Sequence, residues 1–162
     1  MLIYLLRHAD AVQNSSLHDS ERPLSDLGKQ QASTVGEFLR DRTIGIDAVV
    51  SSPLLRAIET SEIVRTITNT SRFETTEYLV PGTRKSQLYD LINSIRVRSI
   101  LLIGHEPHLS QTISDLLSGS NGLPIEIKKC SLACLVASEP VRSGHALLQW
   151  LMTNEYMAKT RY

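Results

Sequence analysis

Three short runs, Leu2-Ile3-Tyr4-Leu5-Leu6, Ile46-Asp47-Ala48-Val49-Val50 and Ser99-Ile100-Leu101-Leu102-Ile103, constrain this chain more than any other feature. They are short for buried helices and lack the strict alternation of a half-exposed strand, so they read as strands covered on both faces. Such strands belong to parallel sheets sandwiched between helices, and in open sheets of that kind ligands bind just beyond the carboxyl ends of the strands. Each run stops at a chemically suggestive group. Arg7-His8 follows the first, Ser51-Ser52-Pro53 with Arg56 one turn later follows the second, and Gly104-His105 follows the third.

Between the runs the apolar period changes to that of a helix. Ser25 reads as an N-cap, with Leu27, Ala32, Val35, Phe38 and Leu39 at helical spacing behind it and an end near Arg42. Leu54, Ala57, Ile58, Ile63 and Val64 give a second helix to about Ile67, with Pro53 near its first turn, where a helix tolerates proline. After an extended piece at 73–78 and the break Pro81-Gly82, a third helix from about Lys85 to Arg96 presents Leu88, Leu91, Ile92 and Ile95. Pro107 opens a fourth, with Leu109, Ile113, Leu116 and Leu117 on one face and the glycine and asparagine cluster at 119–122 as its end. Residues 10–23, polar and without an apolar face, read as a long functional or mobile loop. Residues 125–137 and 144–152 read as two antiparallel strands added at the sheet edge, with Trp150-Leu151-Met152 serving packing. The expected fold is one three-layer α/β/α domain over residues 1–162 with a mainly parallel, mixed sheet.

Charge and cysteine content narrow the function. Seventeen basic residues balance seventeen acidic ones, so no net field favours nucleic acid or an anionic membrane, and an anion site must be a local cluster. The N-terminus enters a strand-like run without the parts of a signal peptide, and no apolar stretch approaches bilayer length, so the expectation is a soluble cytoplasmic protein. Cys130 and Cys134 match neither a zinc knuckle nor a redox pair and are expected as free buried thiols. His105 and His108 have a spacing that could share a metal, but no clustered carboxylates or cysteines accompany them, so neither metal nor cofactor is expected.

If the three runs are neighbours, the pocket beyond them gathers Arg7, Arg56, His8 and His105. Such a pocket suits a phosphoryl dianion, because guanidinium keeps its charge and its fork of donors matches phosphoryl oxygens. Phosphoryl transfer depends mainly on positioning and preorganised positive donors, and a neutral imidazole can attack phosphorus and leave again. One histidine would be the nucleophile and the other a donor to the phosphoryl group.

Four segments carry a resemblance. Arg7-His8-Ala9 resembles the arginine-histidine signature of the histidine phosphatase superfamily, the phosphoglycerate mutase-like enzymes, and the segment from Ser51 to Thr60 resembles its second signature. Gly104-His105-Glu106-Pro107 is similar to the segment carrying its second histidine, and Arg22-Pro23-Leu24-Ser25-Asp26-Leu27-Gly28 matches a weaker motif at the start of the first helix. The likeness runs from end to end, and the brief 60–99 segment lacks the longer insertion usual in mutases and sugar-phosphate phosphatases. The chain therefore looks most like the compact SixA-type phosphohistidine phosphatases.

That resemblance implies a phosphoglycerate mutase-like fold, His8 as the group that becomes phosphorylated, and Arg7, Arg56 and His105 as holders of the phosphoryl oxygens. It implies a phosphorylated protein substrate carrying a histidine-containing phosphotransfer domain, and no metal. Small phosphate esters such as a sugar phosphate or nucleotide form the alternative, and a phosphate-dependent binding module without turnover is the reading from another class. Asp19 is similar in position to an aspartate of the SixA type and is the candidate acid or base. Glu74 and Glu77 lie where other members place a leaving-group acid, but without the expected motif. An imidazole leaving group needs little acid help, and a shallow, uncovered pocket would admit a protein side chain. His108 reads as solvated helix surface or pocket rim, His18 and His145 as exposed, and Arg84-Lys85 as a solvated helix start or a greeting to an acidic partner.

Overall fold

The three runs become adjacent strands in the computed structural model, which describes residues 1–14 and 16–160. In chain order the strands are β1 (Leu2–Arg7), β2 (Ala48–Ser51), β3 (Phe73–Thr75), β4 (Ser99–Gly104), β5 (Leu132–Ala137) and β6 (Ala146–Met152). They form one sheet in the order β3-β2-β4-β1-β5-β6, with the first four parallel and β5 and β6 antiparallel. β4 lies between β1 and β2, so Ile103 has Leu6 on one side and Ser51 on the other.

Five helices cover the two faces among the described residues: α1 (Asp26–Asp41), α2 (Leu55–Thr68), α3 (Lys85–Ile95), α4 (His108–Ser118) and α5 (Asn154–Lys159). Successive strand side chains point to opposite faces, which sorts the apolar residues into two cores. Ile3, Leu5, Ile100 and Leu102 meet Leu88 and Ile92 of α3 and Leu109 and Ile113 of α4. Tyr4, Leu6, Leu101 and Ile103 meet Val35 and Leu39 of α1, Val64 of α2 and Met157 of α5. Each such side chain removed from water contributes about 1.5–3 kcal/mol, so a strand buried on both faces cannot slip register by one residue without exposing a whole set.

Three elements depart from the sequence reading. The helix α5 gives no sequence signal because it is short and brings Met157 alone into the core, too little to show a period. β5 is interior, flanked by β1 and β6, so β6 is the edge strand of that side. Residues 125–131 do not extend β5. There the Cys130 N–H is shared between the carbonyls of Arg7 and His8 at 3.2 and 3.3 Å, with φ 55 at Cys130, so the chain wraps around the end of β1 before the ladder begins. In the 10–23 loop, of which Ser15 lies outside the described residues, Asp19–Glu21 forms a turn of 3-10 helix.

Candidate active site

Adjacent strands β1 and β4 send their following helices to opposite faces, α1 to one and α4 to the other, which opens a crevice at their carboxyl ends. His8 and His105 flank that crevice. The His8 N–H still bonds the Gly104 carbonyl at 3.0 Å, and the two ring centroids stand 4.9 Å apart with planes 51° to each other. Arg56, in the first turn of α2, is buried and brings its Nε–H to 3.3 Å from His8 Nε2.

The His8 ring is oriented by the chain next to it. Its Nδ1 lies 2.7 Å from the Ala9 carbonyl oxygen, which can only accept, so Nδ1 carries the proton and Nε2 holds a lone pair facing Arg56. Ala9 is itself fixed, its N–H donating to Thr60 Oγ1 at 3.1 Å while that hydroxyl donates to the Arg56 carbonyl at 2.7 Å. Burial, with a smaller repulsion from Arg56 and Arg7, pushes the His8 pKa down to about 4. Burial likewise pushes His105 down to about 3, followed by repulsion from His8 and Arg56. Both rings are therefore neutral around pH 7. His105 Nε2 lies 2.7 Å from the fully buried Ser52 hydroxyl at the end of β2.

Asp19 closes the crevice. Arg56 donates through its two terminal nitrogens to the Asp19 carbonyl at 2.6 Å and its carboxylate at 3.0 Å, while Arg22 grips the same carboxylate at 2.7 and 3.0 Å. Bonding to Arg22, and then Arg56, holds the Asp19 carboxyl below the usual carboxylate range. This corrects the shallow, uncovered pocket expected from the short 60–99 segment: the 10–23 loop lies over Arg56 through Asp19. It is thin, since the Asp19 side chain is 65% exposed where the Arg56 side chain beneath is 7% exposed.

Arg7 points its guanidinium at the loop before β5, donating to the Ile127 carbonyl at 2.9 Å, and its buried Nε has no protein partner. The same loop delivers Lys129, whose ammonium pairs with Asp10 and lowers the His8 pKa by repulsion. Asp10 also accepts from Ser25 Oγ at 2.6 Å, and Ser25 caps α1 by accepting from Gly28 N at 3.0 Å. A side chain at Gly28 would place its Cβ 1.9 Å from the Asp10 carbonyl oxygen, so glycine is what lets α1 dock against the chain leaving His8.

Comparison with known proteins places the chain in a family. The model of the histidine phosphatase superfamily (branch 1) matches residues 3–79. Over 98% of this chain, and 99% of the relative, it is 30% identical to the phosphohistidine phosphatase SixA of Escherichia coli (strain K12). The chain belongs to the histidine phosphatase superfamily. Within it the chain is SixA-like and a phosphatase-type hydrolase. A solved structure of the protein histidine phosphatase SixA complexed with tungstate matches 95% of this chain and 97% of that chain at a TM-score of 0.85 and 26% identity. The alpha-ribazole phosphatase from Shigella flexneri, at 17% identity, covers 95% of this chain and 97% of its own with a TM-score of 0.74, which shows a shared fold.

Of the residues singled out from the sequence of this superfamily member, His8, Arg56, His105 and Asp19 come together directly, and Arg7 stands close enough to act on His8 by charge. Glu74 pairs with Arg72 and Glu77 is exposed in the 3-10 turn Glu77–Leu79; neither enters a contact of His8, His105 or Arg56. His108 corrects the expectation of a helix-surface residue: it is buried, its ring bonds the Tyr78 carbonyl, and its Nε2 has no protein partner. The first turn of α4 lies under the 3-10 turn Glu77–Leu79, which no helical period could reveal. His18 and His145 are exposed, Cys130 and Cys134 are free and buried, and Lys85 bonds Asn121 at 2.8 Å. Thr60, Lys129 and the role of Ser52 escaped the sequence reading. Ser52 and Thr60 carried a signal, as residues of the 51–60 segment, and Lys129 carried none.

Proposed function

We propose that this SixA-like hydrolase removes the phosphoryl group from a phosphohistidine on a histidine-containing phosphotransfer domain of a signalling protein, by way of a phosphohistidine at His8. The observation that carries the reading is the His8 ring itself: neutral, protonated at Nδ1 on a carbonyl, with its Nε2 lone pair beside the Arg56 Nε–H. As Nε2 bonds to phosphorus, the bond from phosphorus to the substrate imidazole breaks, and Arg56 Nε–H passes from the lone pair to a phosphoryl oxygen. Arg7 and His105 supply further positive or donor groups to that oxygen cluster. Water then attacks the phosphoryl group on His8, releasing inorganic phosphate and the ring.

The leaving group follows from what surrounds Asp19. Held ionised by two arginines, it suits a role as acceptor of a proton from the attacking water better than as donor to an alkoxide. A substrate imidazole that has taken a proton from solvent on its other ring nitrogen, which titrates near neutral pH, departs as the neutral ring without that donor. The thin cover over Arg56 suits a substrate presented on a protein surface. The name of the SixA relative agrees with this choice. Free buried thiols fit a reducing cytoplasm.

The test is a phosphotransfer domain labelled with radioactive phosphate on histidine, compared with a panel of sugar phosphates and nucleotides. Release of phosphate from the protein, with an acid-labile label trapped on His8, is expected. Efficient hydrolysis of one ester with none of the phosphoprotein would replace the substrate class, and tight binding of phosphohistidine without release would replace the enzyme by a binding module.

A further inference from the structure

His8 and His105 face one another, but each leans on a different kind of partner. The atom beside His8 Nδ1 is a carbonyl oxygen, an acceptor only. The atom beside His105 Nε2 is the Ser52 hydroxyl, which can donate or accept. The surroundings of Ser52 decide which. Its oxygen already accepts from the Leu54 N–H at 3.3 Å, and the residue is 0% exposed, so its proton has no water to go to. Among the described residues the acceptor within reach of that proton is His105 Nε2. With Nε2 accepting, the neutral ring carries its proton on Nδ1. Nδ1 is a buried atom without a protein partner, and a buried N–H left unpaired is costly enough to call for a ligand that completes it.

We propose that Ser52 is a positioning residue that donates its hydroxyl proton to His105 Nε2 and so fixes His105 as an Nδ1–H donor to the transferring phosphoryl group. The two rings are then the same Nδ1–H tautomer presented by opposite nitrogens: His8 offers its Nε2 lone pair to phosphorus, and His105 offers its Nδ1–H to an oxygen. The second of the paired serines at the end of β2, unexplained by the sequence, acquires a task distinct from that of its neighbour, since Ser51 Oγ turns back to the Ser52 carbonyl at 2.9 Å. The inference rests on the proposed chemistry at His8 but not on the identity of the phosphorylated substrate.

The test reads the tautomer directly. Multiple-bond proton–nitrogen NMR spectra of the substrate-free protein, with His105 assigned by comparison with a His105→Gln variant, distinguish a protonated from a lone-pair ring nitrogen. The wild type should show Nδ1 protonated and Nε2 bare at His105, with the reverse at neither temperature nor salt within the folded range. Ser52→Ala should move the His105 proton wholly or partly to Nε2. It should also lower kcat on para-nitrophenyl phosphate about 10-fold with little change in KM, short of the ~10² that outright loss of an oxyanion donor costs. Ser52→Thr, which keeps the hydroxyl, should retain both the tautomer and most of the rate. A wild-type His105 protonated at Nε2 overturns the proposal, even if Ser52→Ala does not fold. So does a folded Ser52→Ala with unchanged tautomer and rate. Failure to hydrolyse phosphohistidine protein, with these spectra and para-nitrophenyl phosphate rates as expected, would overturn the substrate assignment and leave the Ser52 role standing.

Discussion

On one side of the sheet β3, β2, β4 and β1 run parallel, so their carboxyl ends reach a common rim, and that rim carries Ser52, His105 and His8. On the other side β5 and β6 run antiparallel, and what they expose is apolar: Leu147 and Leu148 are 68% and 43% exposed on the edge strand. The packing of the two halves is equally continuous, since Leu102 of β4 and Leu135 of β5 are both fully buried in the same core. The difference is one of direction. Parallel strands deliver every strand end to one place, whereas antiparallel neighbours turn at alternate rims, and here the loop before β5 reaches the site through Lys129 and the Ile127 carbonyl.

The largest expected break of this asymmetry is His8→Ala, which should lower phosphatase turnover by at least about 10³-fold in steady-state assays while leaving the circular dichroism spectrum unchanged. Arg56→Ala comes next, with a loss of about 10²–10³ in kcat and weaker vanadate binding by titration calorimetry. Arg56→Lys should restore little, because the ammonium cannot replace a guanidinium that reaches His8 and Asp19 together. Gly28→Ala should cost about 1–3 kcal/mol in denaturant unfolding and slow turnover as well, since the added carbon meets the Asp10 carbonyl behind His8.

Acid sensitivity should also belong to the parallel rim. Below the ordinary histidine value of 6.5 the unfolded chain protonates both rings, while the folded chain keeps them neutral down to about 4 and about 3. Their contribution to stability is therefore complete above pH 6.5 and lost as the pH falls through that window. A calorimetric Tm falling from neutral pH toward 4, with a shallower fall in His105→Gln, is the expected result. The smallest effect is placed on the other half: Leu147→Lys should change stability by less than about 0.5 kcal/mol and leave kcat/KM as it was. A large activity loss there would show that β6 takes part in catalysis and that the division between the halves is wrong.

Much of this is legible in the sequence. The four long helices appear close to where the apolar period and Ser25, Gly119 and Pro107 put them, because those signals act within a few residues. His8, Arg56 and His105 were visible because each sits at or one turn beyond a strand end. Beyond local signals the sequence was silent. α5 buries a single methionine, the 125–131 segment bends to satisfy carbonyls at the end of β1, and the burial of His108 depends on the distant 3-10 turn at Glu77–Leu79.

By itself the sequence determined the alternation of strand and helix, the strands that would be buried on both faces, and the gathering of arginines and histidines at their ends, since all of these follow from periodicity and the direction of the chain. It presented His8 and His105 as two copies of one pattern, an apolar run, a break and an imidazole. Only the tertiary structure told them apart, by setting a carbonyl against one ring and the hydroxyl of Ser52, from a third strand, against the other. Which nitrogen of an imidazole is left to face a ligand, and whether it offers a proton or a lone pair, depends on the partner that holds the other nitrogen, and Ser52 becomes the partner of His105 only when the sheet brings them together.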